Sequence, residues 1–135
     1  MVDLATLTGG CIVALGKEAS GVMGTSQTLI SKILFAGEKT YERCWQLPLW
    51  EEYKKLNESA LADVANLGNK PREASAIVGG AFLSEFIEKK TSWAHIDIAG
   101  PSYDSSESAY LSKGGRGVGV RLLVQLFLDI SREKE

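Results

Sequence analysis

The sequence is poor in the features that mark most specialised binding surfaces. It carries 15 Lys and Arg against 17 Asp and Glu, a formal net charge of -2. The basic excess of an electrostatic nucleic-acid binder is therefore absent. No apolar run approaches the roughly 20 residues that a membrane span needs. No basic start leads into an apolar stretch and a cleavage site, so no signal peptide is read. Two cysteines, Cys11 and Cys44, make no disulfide framework. Both stand in apolar contexts and read as reduced thiols, at least one of them in a core. A Cys–His catalytic pair would have to use His95, the only histidine. No serine lies in a G-x-S-x-G elbow, no carboxylate pair has acid–base spacing, and there is no internal repeat, low-complexity tract or linker.

What is present fits one globular domain. The chain has 135 residues, 44% of them hydrophobic and 24% charged, enough for a single core. The organising stretch runs from Val2 to Gly10. Val2 to Thr6 is β-type and apolar, and it ends in a polar turn broken by Gly9 and Gly10. Such turns at strand ends are where α/β proteins build sites. A second stretch of the same shape is Trp93-Ala94-His95-Ile96-Asp97-Ile98-Ala99-Gly100. If the two strands are neighbours, their ends face one pocket. An apolar strand this close to Met1 suggests either a short gene product or a piece of something longer.

Between them, Cys11 to Leu15 reads as a short helix and Ser20 to Gly24 as a strand. Thr25 or Ser26 caps an amphipathic helix over Leu29 to Glu42. Trp45 to Trp50 reads as an extended connector fixed by Pro48, its tryptophans packing. Glu51 to Asn57 reads as helical and exposed, Ala60 to Leu67 as a weakly alternating strand, and Gly68 to Arg72 as a loop. Ala74 to Glu88 is a helix whose Gly79-Gly80 permit close approach. Pro101 to Gly115 is a long serine-rich loop, and Gly117 to Ser131 a final apolar-faced helix. The alternation predicts a mixed or parallel sheet with helices on its faces.

The candidate chemistry is thin. Gly10 to Lys17 fails as a phosphate loop, because five residues separate Gly10 from Gly16 and Glu18 replaces the needed hydroxyl. The basic glycine-rich run Lys113 to Gly119 opens a helix, where anions are attracted; a flexible helix start is the simpler reading. His95 and Asp97 share a strand face. They could begin a metal site, but no third ligand stands at fixed spacing. A hydrogen-bonded buried histidine is the simpler reading, with Asp97 orienting a loop or pairing with Arg121.

Taken together, certain stretches resemble the leucine aminopeptidase (cytosol aminopeptidase) family. They are Asp3 to Gly9, Ala14 to Gly16, Trp45 to Leu49, Ala62 to Asn66, Ala81 to Leu83, Trp93 to Gly100 and Gly117 to Arg121, in the family's order and spacing. The resemblance implies the C-terminal portion of a metallo-aminopeptidase catalytic domain over residues 1–135. It also implies a zinc-exopeptidase-like α/β/α sandwich around a mixed β-sheet. The implied enzyme is cytoplasmic and homohexameric. It uses two divalent ions, manganese or zinc, to remove N-terminal residues from peptides with a free N-terminus.

The family's N-terminal domain, metal ligands and Asn-Thr-Asp-Ala-Glu-Gly-Arg motif are not in the sequence. By resemblance the chain holds substrate without holding metal, binds no metal tightly, and is inactive alone. Missing strands would leave an exposed edge that favours self-association. Leu7 resembles the residue whose carbonyl receives a hydrogen bond from the substrate nitrogen. Gly9 resembles the one whose N–H supports the substrate carbonyl. Thr6, Ala99 and Ser102 resemble walls of the pocket for the N-terminal side chain, and Leu67 a wall of the next subsite. Gly115-Arg116-Gly117 departs from the family's Gly-Ala-Thr-Gly. The alternative from another class is a non-catalytic peptide-binding or assembly module.

Overall fold

A computed structural model describes residues 1–70, 72–107 and 110–133. Pro71 of the expected loop, and Ser108 and Ala109 of the serine-rich stretch, lie outside the described residues. The elements in order are β1 (Val2–Ala5), α1 (Gly9–Leu15), β2 (Ser20–Gly24), α2 (Gln27–Thr40), β3 (Cys44–Gln46) and α3 (Glu51–Lys54). They are followed by α4 (Ser75–Ser84), β4 (Ala94–Asp97), β5 (Tyr103–Asp104), β6 (Gly114–Gly115) and α5 (Val120–Arg132). A four-stranded sheet has the order β1-β4-β2-β3. β1 runs parallel to β4, β4 antiparallel to β2, and β2 parallel to β3. The mixed sheet and its neighbouring β1 and β4 agree with the sequence reading.

Strand periodicity divides this sheet into two chemically different faces. Val2 pairs with Ala94 and Leu4 with Ile96. On that face Val22, Ala94 and Ile96 join Ile30, Ile33 and Ala36 of α2 and Leu122 and Leu126 of α5 in one buried cluster. Each of those leucines contributes about 1.5–3 kcal/mol by leaving water. The alternate residues, Asp3 with His95 and Ala5 with Asp97, point to the other face. That face carries the sheet's buried polar groups beside Met23 and Trp93, and α4 reaches it through glycine: a Cβ on Gly80 would stand 2.7 Å from Met23 Sδ, and one on Gly79 2.8 Å from Thr8 Cγ2.

The helices begin and end as their residues dictate. Ser26 caps α2 by accepting from Leu29 N at 3.3 Å, and Tyr41 closes it in the left-handed conformation at φ 59. α5 has no side-chain cap of its own, since Gly119 stands at its start with φ 95. The buried Glu42 supplies one instead. Its Oε2 accepts from Gly119 N at 3.0 Å and from Leu122 N at 2.9 Å, and its Oε1 accepts from Arg121 Nε at 3.2 Å. The N–H of Gly119, where the basic run enters the helix, is thus already matched to an internal anion. Arg121 pairs with Glu42, not with Asp97.

Three readings need correction. Ala60 to Leu67 forms no strand. Ser59 Oγ accepts from Leu61 N and Ala62 N, and Asn57 exchanges hydrogen bonds with Ala65 through Nδ2 and its backbone carbonyl. Local polar groups therefore take the backbone partners that a sheet would need. The connector after α2 contains the edge strand β3. Its tryptophans do not pack away: Trp45 is 66% and Trp50 62% exposed, Trp50 stacking on Tyr53 at 5.9 Å. The serine-rich loop is partly structured, because β5 and β6 pair within it.

Both cysteines are buried free thiols. Burial, reinforced by Glu42 and Glu38, pushes the Cys44 thiol up to about 12 from its ordinary 9.0. The folded state thus keeps a proton that the unfolded chain releases. The associated stability is whole below pH 9 and is lost as pH rises toward 12. Urea midpoints measured across that window should fall with pH, and Cys44→Ala should flatten the slope.

Candidate substrate site

The turn after β1 is fixed by one carboxylate. Asp97, fully buried at the end of β4, accepts from Leu7 N at 3.1 Å and Ala99 N at 3.1 Å through Oδ1. Its Oδ2 accepts from Thr8 Oγ1 at 2.7 Å. Thr8 Oγ1 in turn accepts from Cys11 N at 3.0 Å and so caps α1. A single side chain therefore ties the exits of both strands to the first turn of a helix. Thr8 escaped the sequence reading, although a threonine three residues ahead of the apolar run starting at Cys11 is an N-cap signal.

The turn borders a cavity of about 660 Å³, lined on one side by Leu7, Thr8 and Gly9 and on the other by Leu67, Gly79 and Phe82. That volume lies within the range of small-molecule sites. Lys70, Arg72 and Glu73 edge it, residues to which no sequence motif drew attention. Of the six expected substrate residues, Leu7, Gly9 and Leu67 come together here. Ala99 and Ser102 lie beside each other past β4, Ser102 Oγ donating to Ala99 O at 3.5 Å. They do not line this cavity, and Thr6 is exposed at the strand end.

His95 is fully buried and its Nδ1 lies 2.6 Å from Asp3 Oδ1. Asp3 Oδ2 also accepts from Trp93 Nε1 at 2.5 Å. Cys11 Sγ donates to Asp97 O at 3.6 Å, so its partner is a carbonyl and not an imidazole. Burial, then the charge of Asp97, raises its thiol pKa. Among the described residues no group of three or more His, Cys, Asp or Glu could hold a metal ion. Asp97 is spent on the turn and His95 Nδ1 on Asp3, and the one remaining buried nitrogen, His95 Nε2, is too few donors for a metal pair.

The sequence model of the cytosol aminopeptidase family, catalytic domain, matches residues 1–124. The chain belongs to the cytosol aminopeptidase family. It is 48% identical over 125 residues to a protein of Geobacter sp. (strain M21) and 50% identical over 125 residues to one of Geotalea uraniireducens (strain Rf4). It is 47% identical over 133 residues to one of Nitrosomonas eutropha (strain DSM 101675 / C91 / Nm57). All three carry the name "Probable cytosol aminopeptidase". The matches cover 93%, 93% and 98% of this chain and 25% of each relative. The chain therefore spans about a quarter of the length of the cytosol aminopeptidases it matches. A tomato leucine aminopeptidase mutant has the same fold, with a TM-score of 0.86 and 36% identity over 95% of this chain and 24% of that one.

Proposed function

We propose that the chain is the substrate-holding portion of a leucyl aminopeptidase catalytic domain, acting on peptides with a free N-terminus in the cytoplasm. The observation that carries this reading is the Leu7–Gly9 turn, locked by Asp97 on the rim of that cavity. In this reading the Leu7 carbonyl accepts from the substrate amine and the Gly9 N–H donates to the scissile carbonyl. Leu67 borders the residue after the cleaved bond; Thr6, Ala99 and Ser102 border the N-terminal side chain. Two divalent ions, manganese or zinc, would be held by residues outside these 135, together with the family's N-terminal domain. The homohexamer belongs to the same proposal. It is supported by Val120, Val124 and Phe127, exposed along α5 where they could meet another subunit.

Gly9 offers a direct test. It is the first residue of α1, and Thr8 before it is extended at φ -136, ψ 139. Proline is tolerated at a first helical position and prefers an extended predecessor. A Cβ at Gly9 would meet nothing within 4 Å. Gly9→Pro should therefore fold normally while deleting one N–H. Joined to the remaining segments of the family enzyme, the variant should lose about 10- to 100-fold in kcat/KM on Leu-p-nitroanilide with an unchanged unfolding midpoint. The 135-residue chain alone, with manganese or zinc added, should show no turnover. Activity that follows it through purification would overturn this division of labour, and peptide binding without hydrolysis by the joined protein would favour the non-catalytic module.

A further inference from the structure

A second cavity, of about 320 Å³, shares no lining residue with the first. It lies where the turn after α1, the turn after α2 and the β5–β6 loop meet. Four cations line it, Lys17, Arg43, Arg116 and Arg121, with the rings of Tyr41 and Tyr110. Three acids accompany them, Glu18, Glu42 and Asp104, which leaves one positive charge in excess.

The acids are already committed. Asp104 Oδ1 accepts from Lys17 Nζ at 2.9 Å and from Ser106 N and Oγ at 3.1 and 2.9 Å. Its Oδ2 lies 3.0 Å from Arg116 Nη2. The Lys17 hydrogen bond, with those from Ser106, holds this carboxyl well below the usual carboxylate range, so it stays charged. Glu42 is occupied by the start of α5 and by Arg121. Glu18 pairs with Arg43 at 3.1 Å at the surface.

Donors, by contrast, are left over. The Arg116 side chain is only 9% exposed, yet among the described residues its Nε has no hydrogen-bond partner. A buried charged N–H without an acceptor costs stability unless something supplies one. Among the described residues a cation would find no unused carboxylate here. The start of α5 is not the attraction either, because Glu42 fills it. A guanidinium with an unused N–H, beside further cations and phenol hydroxyls, is suited to oxygen anions. The volume admits a small molecule and no polymer.

We propose that this cavity binds a small oxyanion, the carboxylate or phosphate group of a free small molecule, with Arg116 as its principal donor and Lys17 and Arg43 at its mouth. The site is independent of the proposed substrate cavity.

Calorimetric titration of the 135-residue chain with inorganic phosphate, and separately with succinate, tests this. Saturable one-site binding of at least one probe is expected, weakening as sodium chloride is raised. Preference for phosphate or succinate identifies which group the site takes. Arg116→Gln should weaken binding about 10-fold or more. Because Arg116 also holds Asp104, Arg43→Gln provides a second arm. Among the described residues its one ion pair is with exposed Glu18, so the fold should stand while affinity falls several-fold. Absence of binding by both probes up to about 20 mM, or binding that neither substitution alters, would overturn the proposal.

Discussion

Asp97→Ala is expected to remove about 3–5 kcal/mol of stability, and Asp97→Asn only about 1 kcal/mol. The difference follows from which oxygen does what. Both backbone donors, Leu7 N and Ala99 N, reach Oδ1, and an asparagine carbonyl can occupy that place and accept both. Its amide would then stand where Oδ2 accepts from Thr8 Oγ1. It can donate to that oxygen, leaving only the threonine hydroxyl proton without its acceptor. Alanine instead strands two N–H groups and a hydroxyl. Domains of this kind are stable by only about 5–15 kcal/mol, so alanine should bring unfolding close to working conditions. Urea denaturation of the three forms measures this. Equal losses for alanine and asparagine would mean that charge, not hydrogen-bond geometry, holds the turn. In the joined enzyme, Asp97→Asn should raise KM more than it lowers kcat, if the turn holds substrate as proposed.

Glu42 carries the second large effect. Glu42→Ala should cost about 3–5 kcal/mol, because a buried carboxylate that serves two helix N–H groups and an arginine disappears at once. Both N–H groups reach Oε2, so a glutamine oxygen can keep them. Its amide would then face Arg121 Nε, donor against donor, and Glu42→Gln should lose about 1–2 kcal/mol. Arg121→Ala alone should lose less than about 1 kcal/mol, since the side chain is 39% exposed and partly screened by water. A double-mutant cycle over Glu42 and Arg121, read by urea midpoints, separates the helix cap from the ion pair.

These two carboxylates also show what could be read from the chain and what could not. The strands at Val2–Ala5 and Ala94–Asp97 were legible because apolar, β-branched runs stop at glycine. The helix at Gln27–Thr40 was legible from its spacing and from Ser26. The common face of His95 and Asp97 follows from strand alternation. The partner of Asp97 was not legible, because Leu7 lies 90 positions away and no local pattern encodes a bond of that span. Arg121 was a reasonable guess on charge, but Glu42 was nearer in space. The false strand at Ala60 to Leu67 had weak alternation, which Ser59 and Asn57 override by offering hydrogen bonds locally. Trp45 and Trp50 misled through their size alone, since large rings are usually covered. The meeting of Leu7, Gly9 and Leu67 was available only through resemblance; the cavity beneath them needed Gly79 of α4 to approach.

The pairing of β1 with β4 has a consequence for how the chain acquires its shape. Those strands are the first and the fourth in sequence, yet they are neighbours. Every contact between them closes a loop of about 90 residues, and loop entropy must be met before any of those bonds form. High contact order of this kind slows folding. During synthesis β1 cannot pair with β4 until Asp97 has emerged, while α2 and β2 can already collapse on each other. The Leu7–Gly9 turn is then among the last parts to become ordered, and its completion reports that the whole sheet is in register.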